Sequence, residues 1–161
     1  MGNSSEMGMH SLEQARAAIL ARLEPMAAES VLLAQSAGRV LAADVAAAVD
    51  LPRFDNSAMD GYAVIAAEAG TGAQLQCVGE VPAGSAFEGT LQSGQCLRIF
   101  TGSPMPAGAN AVVMQEDTRV ETDRVKITEG VKPFEHIRLR GEDVKEGKPI
   151  GRAGEVMHAG R

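Results

Sequence analysis

Apolar and polar positions follow two different periods along this chain, and the change falls near residue 51. Ahead of it the period is helical. Ser11-Leu12-Glu13-Gln14 has the form of a capping box, in which a hydroxyl caps the first N–H groups and a side chain reaches back. Leu12, Ala15, Ile19, Leu20 and Leu23 follow at helical spacing, and Pro25 predicts the stop. That apolar stripe is read as core or partner contact. Val31-Leu32-Leu33 predicts a short strand, and residues 36–41 a turn or short helix. Residues 42–49 are rich in small residues and predict an extended connector, with Leu51-Pro52 marking a boundary.

Beyond Pro52 the period shortens to that of strands. Residues 62–65 predict a strand and 66–70 a short turn. Residues 74–81 alternate and predict the next strand, with loops at 83–85 and Gly89. Cys96-Leu97-Arg98-Ile99-Phe100 and residues 109–116 predict two more. Residues 119–127 predict a hairpin turning at Thr122-Asp123. Short strands at short spacing, with many of the 18 glycines between them, favour a compact β-domain. From Val144 the patterning is mixed, and the chain holds no internal repeat.

Composition narrows the class. Of 161 residues, 45% are apolar but only 3% aromatic, so any core rests on Val, Leu, Ile, Ala and Met. A net charge of −6 argues against nucleic acid, whose phosphates call for Lys and Arg. Cys77 and Cys96 form no CxxC and read as two reduced, buried thiols. His10, His136 and His158 are scattered and suggest no metal site. No apolar run reaches the length of a membrane span, and residues 1–10 lack the basic start and apolar stretch of a secretory signal. Those residues are read as a disordered or appended terminus. The expected location is the cytoplasm.

Two segments carry candidate chemistry. Between Phe54 and Tyr62 lie Asp55, Asn56, Ser57 and Asp60. Such residues bond their own backbone in an ordinary turn. Phe54, Met59 and Tyr62, however, suit anchors that would leave the polar groups facing a polar space. Gly61 permits a sharp turn or a close approach. The second segment runs from the 96–100 strand into Thr101-Gly102-Ser103-Pro104-Met105-Pro106-Ala107-Gly108. Hydroxyls and successive backbone N–H groups there could converge on an anion, although a proline-stiffened turn explains the same residues. Arg138 and Arg140 beside Gly141-Glu142-Asp143 fit either an anion contact or a structural ion-pair network.

Taken together and in this order, the segments resemble the molybdopterin molybdenumtransferase family, which includes the C-terminal domain of gephyrin. The resemblance rests on residues 37–42 with Asp44-Val45, on residues 55–64, on residues 101–106 with 111–116, and on Ile137-Arg138, Gly141-Glu142-Asp143-Val144 and Gly147. It covers roughly residues 11–161 and implies an N-terminal fragment, since family members continue into an α/β domain.

By resemblance the fold is mainly β with α. A β-rich barrel-like domain at 51–143 is inserted in a discontinuous elongated domain made of 11–50 and 144–161. The family inserts molybdate into adenylylated molybdopterin with release of AMP, assisted by Mg²⁺. Asp60 and Thr101 are then the expected catalytic residues, with Asp60 also the Mg²⁺ candidate through water. Asp55, Asn56, Ser57, Gly61, Gly102, Ser103 and Arg138 are the expected substrate contacts. The resemblance implies a homodimer for the full-length protein and work alongside other molybdenum cofactor biosynthesis proteins. This chain alone is expected to be inactive, and monomeric or weakly dimeric. A non-catalytic scaffold of the gephyrin type would share the same motifs.

Overall fold

The computed structural model describes residues 10–82 and 84–159. The reading of residues 1–10 falls outside them except at His10. Two compact units are present: one formed by the two ends of the chain, through Ala42 and from Gly154, and one of Ala43–Ala153. The strand pair of Val45–Ala46 with Pro149–Gly151 keeps both of those segments within the second unit, although the expected boundaries lay at 51 and 143.

In the terminal unit, α1 spans Leu12–Leu20 and has the capping box in full. Ser11 Oγ accepts from Gln14 N, and Gln14 Oε1 accepts from Ser11 N. The helix ends at Leu20, ahead of Pro25, and none of its residues is buried. The expected strand at 31–33 does not form, and Leu33–Gln35 makes a 3₁₀ turn instead. Among the described residues no strand pairs with Val31 or Leu32, so their β propensity has nothing to pair with.

The second unit is mostly β. Its strands are β1 (Val45–Ala46), β2 (Asn56–Ser57), β3 (Gly61–Val64), β4 (Gln74–Val81), β5 (Gln95–Ile99), β6 (Ala111–Met114), β7 (Thr118–Glu121), β8 (Arg124–Ile127), β9 (Ile137–Arg138) and β10 (Pro149–Gly151). Six of them form a curled sheet in the order β6-β3-β5-β4-β8-β7. All its pairings are antiparallel except β4 with β5. The 109–116 segment yields a shorter strand than its composition suggests, because Gln115–Asp117 coil into a 3₁₀ turn.

Both faces of the sheet are covered, which explains why its central strands read as continuous apolar runs. Tyr62, Val64, Cys96, Val113, Val125 and Ile127 pack on one side. Ala63, Leu97, Ile99 and Val112 pack on the other with Val81 and Leu91. The alternation within β3 and β5 is the two-residue period of the pleat.

Candidate functional site

The register of the sheet brings Asp60 and Thr101 together from 41 residues apart. Gly61 opposes Ile99 in the antiparallel β3–β5 pair. Asp60, just before β3, therefore lies beside the chain just after β5. Its Oδ1 accepts from both Thr101 N and Thr101 Oγ1, each at 2.8 Å. On the other flank Gly61 opposes Met114, and Gln115 N donates to the Asp60 carbonyl at 3.0 Å. Asp60 is thus held through its side chain and its backbone at the end of the three strands. Its side chain is exposed, and Oδ2 has no partner among the described residues.

Thr101 holds the Asp60 carboxyl below its ordinary value, first through the backbone N–H and next through the hydroxyl. The positive charge of Arg98 adds to this. Hydrogen bonds to a carboxylate stabilise the ionised form. Arg98 opposes Tyr62 across the β3–β5 pair and lies over the Tyr62 ring at 5.1 Å and the Phe100 ring at 5.0 Å. Its guanidinium also donates to Gln115 Oε1 and to the Gly61 carbonyl. Cation–π contact and two acceptors fix that charge in place. Burial in turn pushes the Tyr62 hydroxyl above its ordinary value.

Gly61 has a strict steric reason. A Cβ there would lie 2.0 Å from the Val113 carbonyl oxygen. Only glycine allows β6 to approach β3 so closely.

The other predicted residues are held by hydrogen bonds or ion pairs within the protein. Ser57 is fully buried, and its hydroxyl donates to the Met59 carbonyl while accepting from Met59 N. Ser103 is equally buried and donates to the Val81 carbonyl. Asn56 donates to the Phe54 carbonyl. Asp55 Oδ1 accepts from Arg140 N. Arg138 pairs with Glu142 and Asp143 at 2.7 and 2.6 Å, the network alternative of the sequence.

The first donors of the expected anion cradle are engaged within the protein. Gly102 N donates to the Ser57 carbonyl, Ser103 N to the Phe100 carbonyl, and Thr101 N to Asp60. The carboxylate of Asp60 takes the place an external anion would have had at Thr101. These bonds, with Ser57 N donating to the Ser103 carbonyl, tie the two motif segments into one corner.

Arg98 and Gln115 belong to this corner and were not singled out in the sequence. The signal was a lone charged residue inside the apolar 96–100 run. Its meaning depended on the register that sets it against Tyr62.

Magnesium finds little support in the donor set. Among the described residues no group of three or more His, Cys, Asp or Glu is placed to hold a metal ion. Asp60 offers one carboxylate, with Oδ1 already engaged. Mg²⁺ takes an octahedral oxygen shell, so these residues do not by themselves make a magnesium site.

Residues 10–161 match the family model described as MoeA N-terminal region (domain I and II). The chain is 44% identical over 127 residues to the molybdopterin molybdenumtransferase of Nostoc sp., covering 76% of this chain and 29% of that protein. It is 38% identical over 144 residues to that of Haemophilus influenzae, covering 88% and 36%. Among solved structures, a molybdopterin biosynthesis moeA protein from Pyrococcus horikoshii OT3 superposes with a TM-score of 0.78 at 36% identity. That match covers 82% of this chain and 36% of the other. The chain therefore spans about a third of the length of the proteins it resembles.

Proposed function

The chain belongs to the MoeA N-terminal region family, and from that membership we propose that it serves molybdenum cofactor biosynthesis as one wall of an active site. At that site molybdate is inserted into adenylylated molybdopterin and AMP leaves. The reading rests on the relatives' name, molybdopterin molybdenumtransferase, and on one observation, the Asp60 carboxylate presented by Thr101 at the strand ends.

The chemistry assigned to the chain is positioning. The free oxygen of Asp60 suits an N–H donor of the pterin or an ordered water. Thr101 fixes the carboxylate so that no reorientation is needed when it acts, which is the advantage of preorganised dipoles. Arg98 adds positive potential that favours the ionised carboxylate. Ser57, Ser103 and Asn56 keep the corner in shape.

The longer protein is expected to be a homodimer. This chain alone is expected to associate weakly, having about a third of its relatives' length from which to build the roughly 1,600 Å² of a standard interface. Sedimentation of the chain over a concentration series tests that; a dimer persisting at high dilution would reject it.

The decisive experiment is Asp60→Asn in the full-length enzyme that carries this region. Asn keeps the shape and can still accept from Thr101, but removes the charge. Turnover with adenylylated molybdopterin and molybdate should fall by about 10²-fold with unchanged thermal unfolding. Turnover near wild type would leave Asp60 as a turn residue only.

A further inference from the structure

Cys77 and Cys96 lie directly opposite each other in the parallel β4–β5 pair. Both are free thiols. Cys96 belongs to the core cluster on one face of the sheet, and Cys77 packs against that same cluster. Their side chains therefore share a face. Paired strands run about 4.8 Å apart, inside the roughly 4.4–6.8 Å Cα separation that a disulfide spans.

The two thiols differ in what they can do. Cys77 is half-buried, so small oxidants reach it. Its Sγ donates to the Gly79 carbonyl at 3.4 Å. Cys96 is fully buried. Burial, with Cys77 beside it, pushes the Cys96 thiol up to about 12. It stays protonated at neutral pH and is shielded from solvent. The strand register breaks between Cys77 and Glu80. A disulfide draws its Cβ atoms to about 3.8 Å, so β4 and β5 must close slightly at this point for the bridge to form.

We propose that Cys77 is a peroxide-modification site and Cys96 its resolving thiol, the pair closing into a reversible bridge between β4 and β5. The Cys77 thiolate attacks hydrogen peroxide, giving the sulfenic acid and hydroxide. Cys96 sulfur then attacks the Cys77 sulfur, and the S–OH bond breaks. The hydroxyl leaves as water with the Cys96 proton. Two thiols lose two electrons in all, peroxide gains them, and two waters result. Cys96 reacts as its proton passes to the departing hydroxide, and the slower attack of a protonated thiol is offset because the two groups are held side by side.

The test treats the native chain with hydrogen peroxide, quenches with catalase and maps peptides without reduction. The expected product is a Cys77–Cys96 linked peptide, lighter than its two reduced parts by two hydrogens. Dithiothreitol should restore both thiols. In Cys96→Ala, Cys77 should instead be trapped by dimedone as the sulfenic acid. In Cys77→Ala, where the core thiol is untouched, Cys96 should stay reduced. The proposal is overturned if wild-type Cys77 takes up dimedone as fully as Cys96→Ala does, if only intermolecular bridges form, or if both cysteines remain reduced.

Discussion

The β unit and the terminal unit use the same kinds of apolar residue and bury them to opposite extents. Leu97 is fully buried between strands, whereas Leu12 is 80% exposed on α1. In the β unit each strand finds a neighbour, and side chains from several strands meet on each face. In the terminal unit α1 has its cap and its spacing but no buried residue. A capped helix forms locally, whereas a core needs a second surface. The candidate site lies at the strand ends of the β unit, where the sheet supplies rigidity that a lone helix could not.

The most severe test of that contrast is Gly61→Ala. The added methyl would meet the Val113 carbonyl at 2.0 Å, so β6 must move away from β3. Unfolding free energy should fall by about 3 kcal/mol or more. The Asp60–Thr101 bonds should loosen with it, seen as lost protection of the Thr101 amide in hydrogen exchange. A variant as stable as the parent would mean that the three strands are less tightly joined than described.

A matched pair of truncations comes next. Leu97→Ala should cost about 2–5 kcal/mol in denaturant unfolding, since it opens a cavity in the core. Leu12→Ala should change stability by no more than about 0.5 kcal/mol. Equal losses would erase the comparison and show that the α1 face is covered in solution.

The smallest effect is electrostatic. Thr101 holds the Asp60 carboxyl below its ordinary value in the folded chain. A depressed folded pKa stabilises the fold above the unfolded value, and that contribution is lost as pH falls through the folded one. Carboxyl titration followed by NMR should find Asp60 among the last side chains to protonate on acidification. In Thr101→Val, which removes the hydroxyl and keeps the backbone N–H, Asp60 should titrate higher but still below the ordinary value. An unchanged titration would mean that the hydroxyl bond is not formed in solution.

Much of this protein was legible in its residues. The capping box placed the start of α1, because its bonds join residues three apart. Alternation gave β4 over its full length and the β7–β8 hairpin with its turn, because the pleat is a local property. The motif at 55–64 marked the corner and the family.

Tertiary structure decided the rest. The Ser57 hydroxyl turns to Met59 within its own loop, but that loop is joined to the second motif through Ser57 N and the carbonyl of Ser103, far along the chain. Whether Thr101 and Gly102 kept free donors depended on Asp60 and Ser57 meeting them first. Arg98 acquired a role only when the β3–β5 register set it against Tyr62. Cap, period and turn chemistry act over a few residues, so the sequence shows them directly. Hydrogen-bond donors and buried hydroxyls answer to whichever partner the fold delivers, and that partner is set by pairings between segments far apart in the chain.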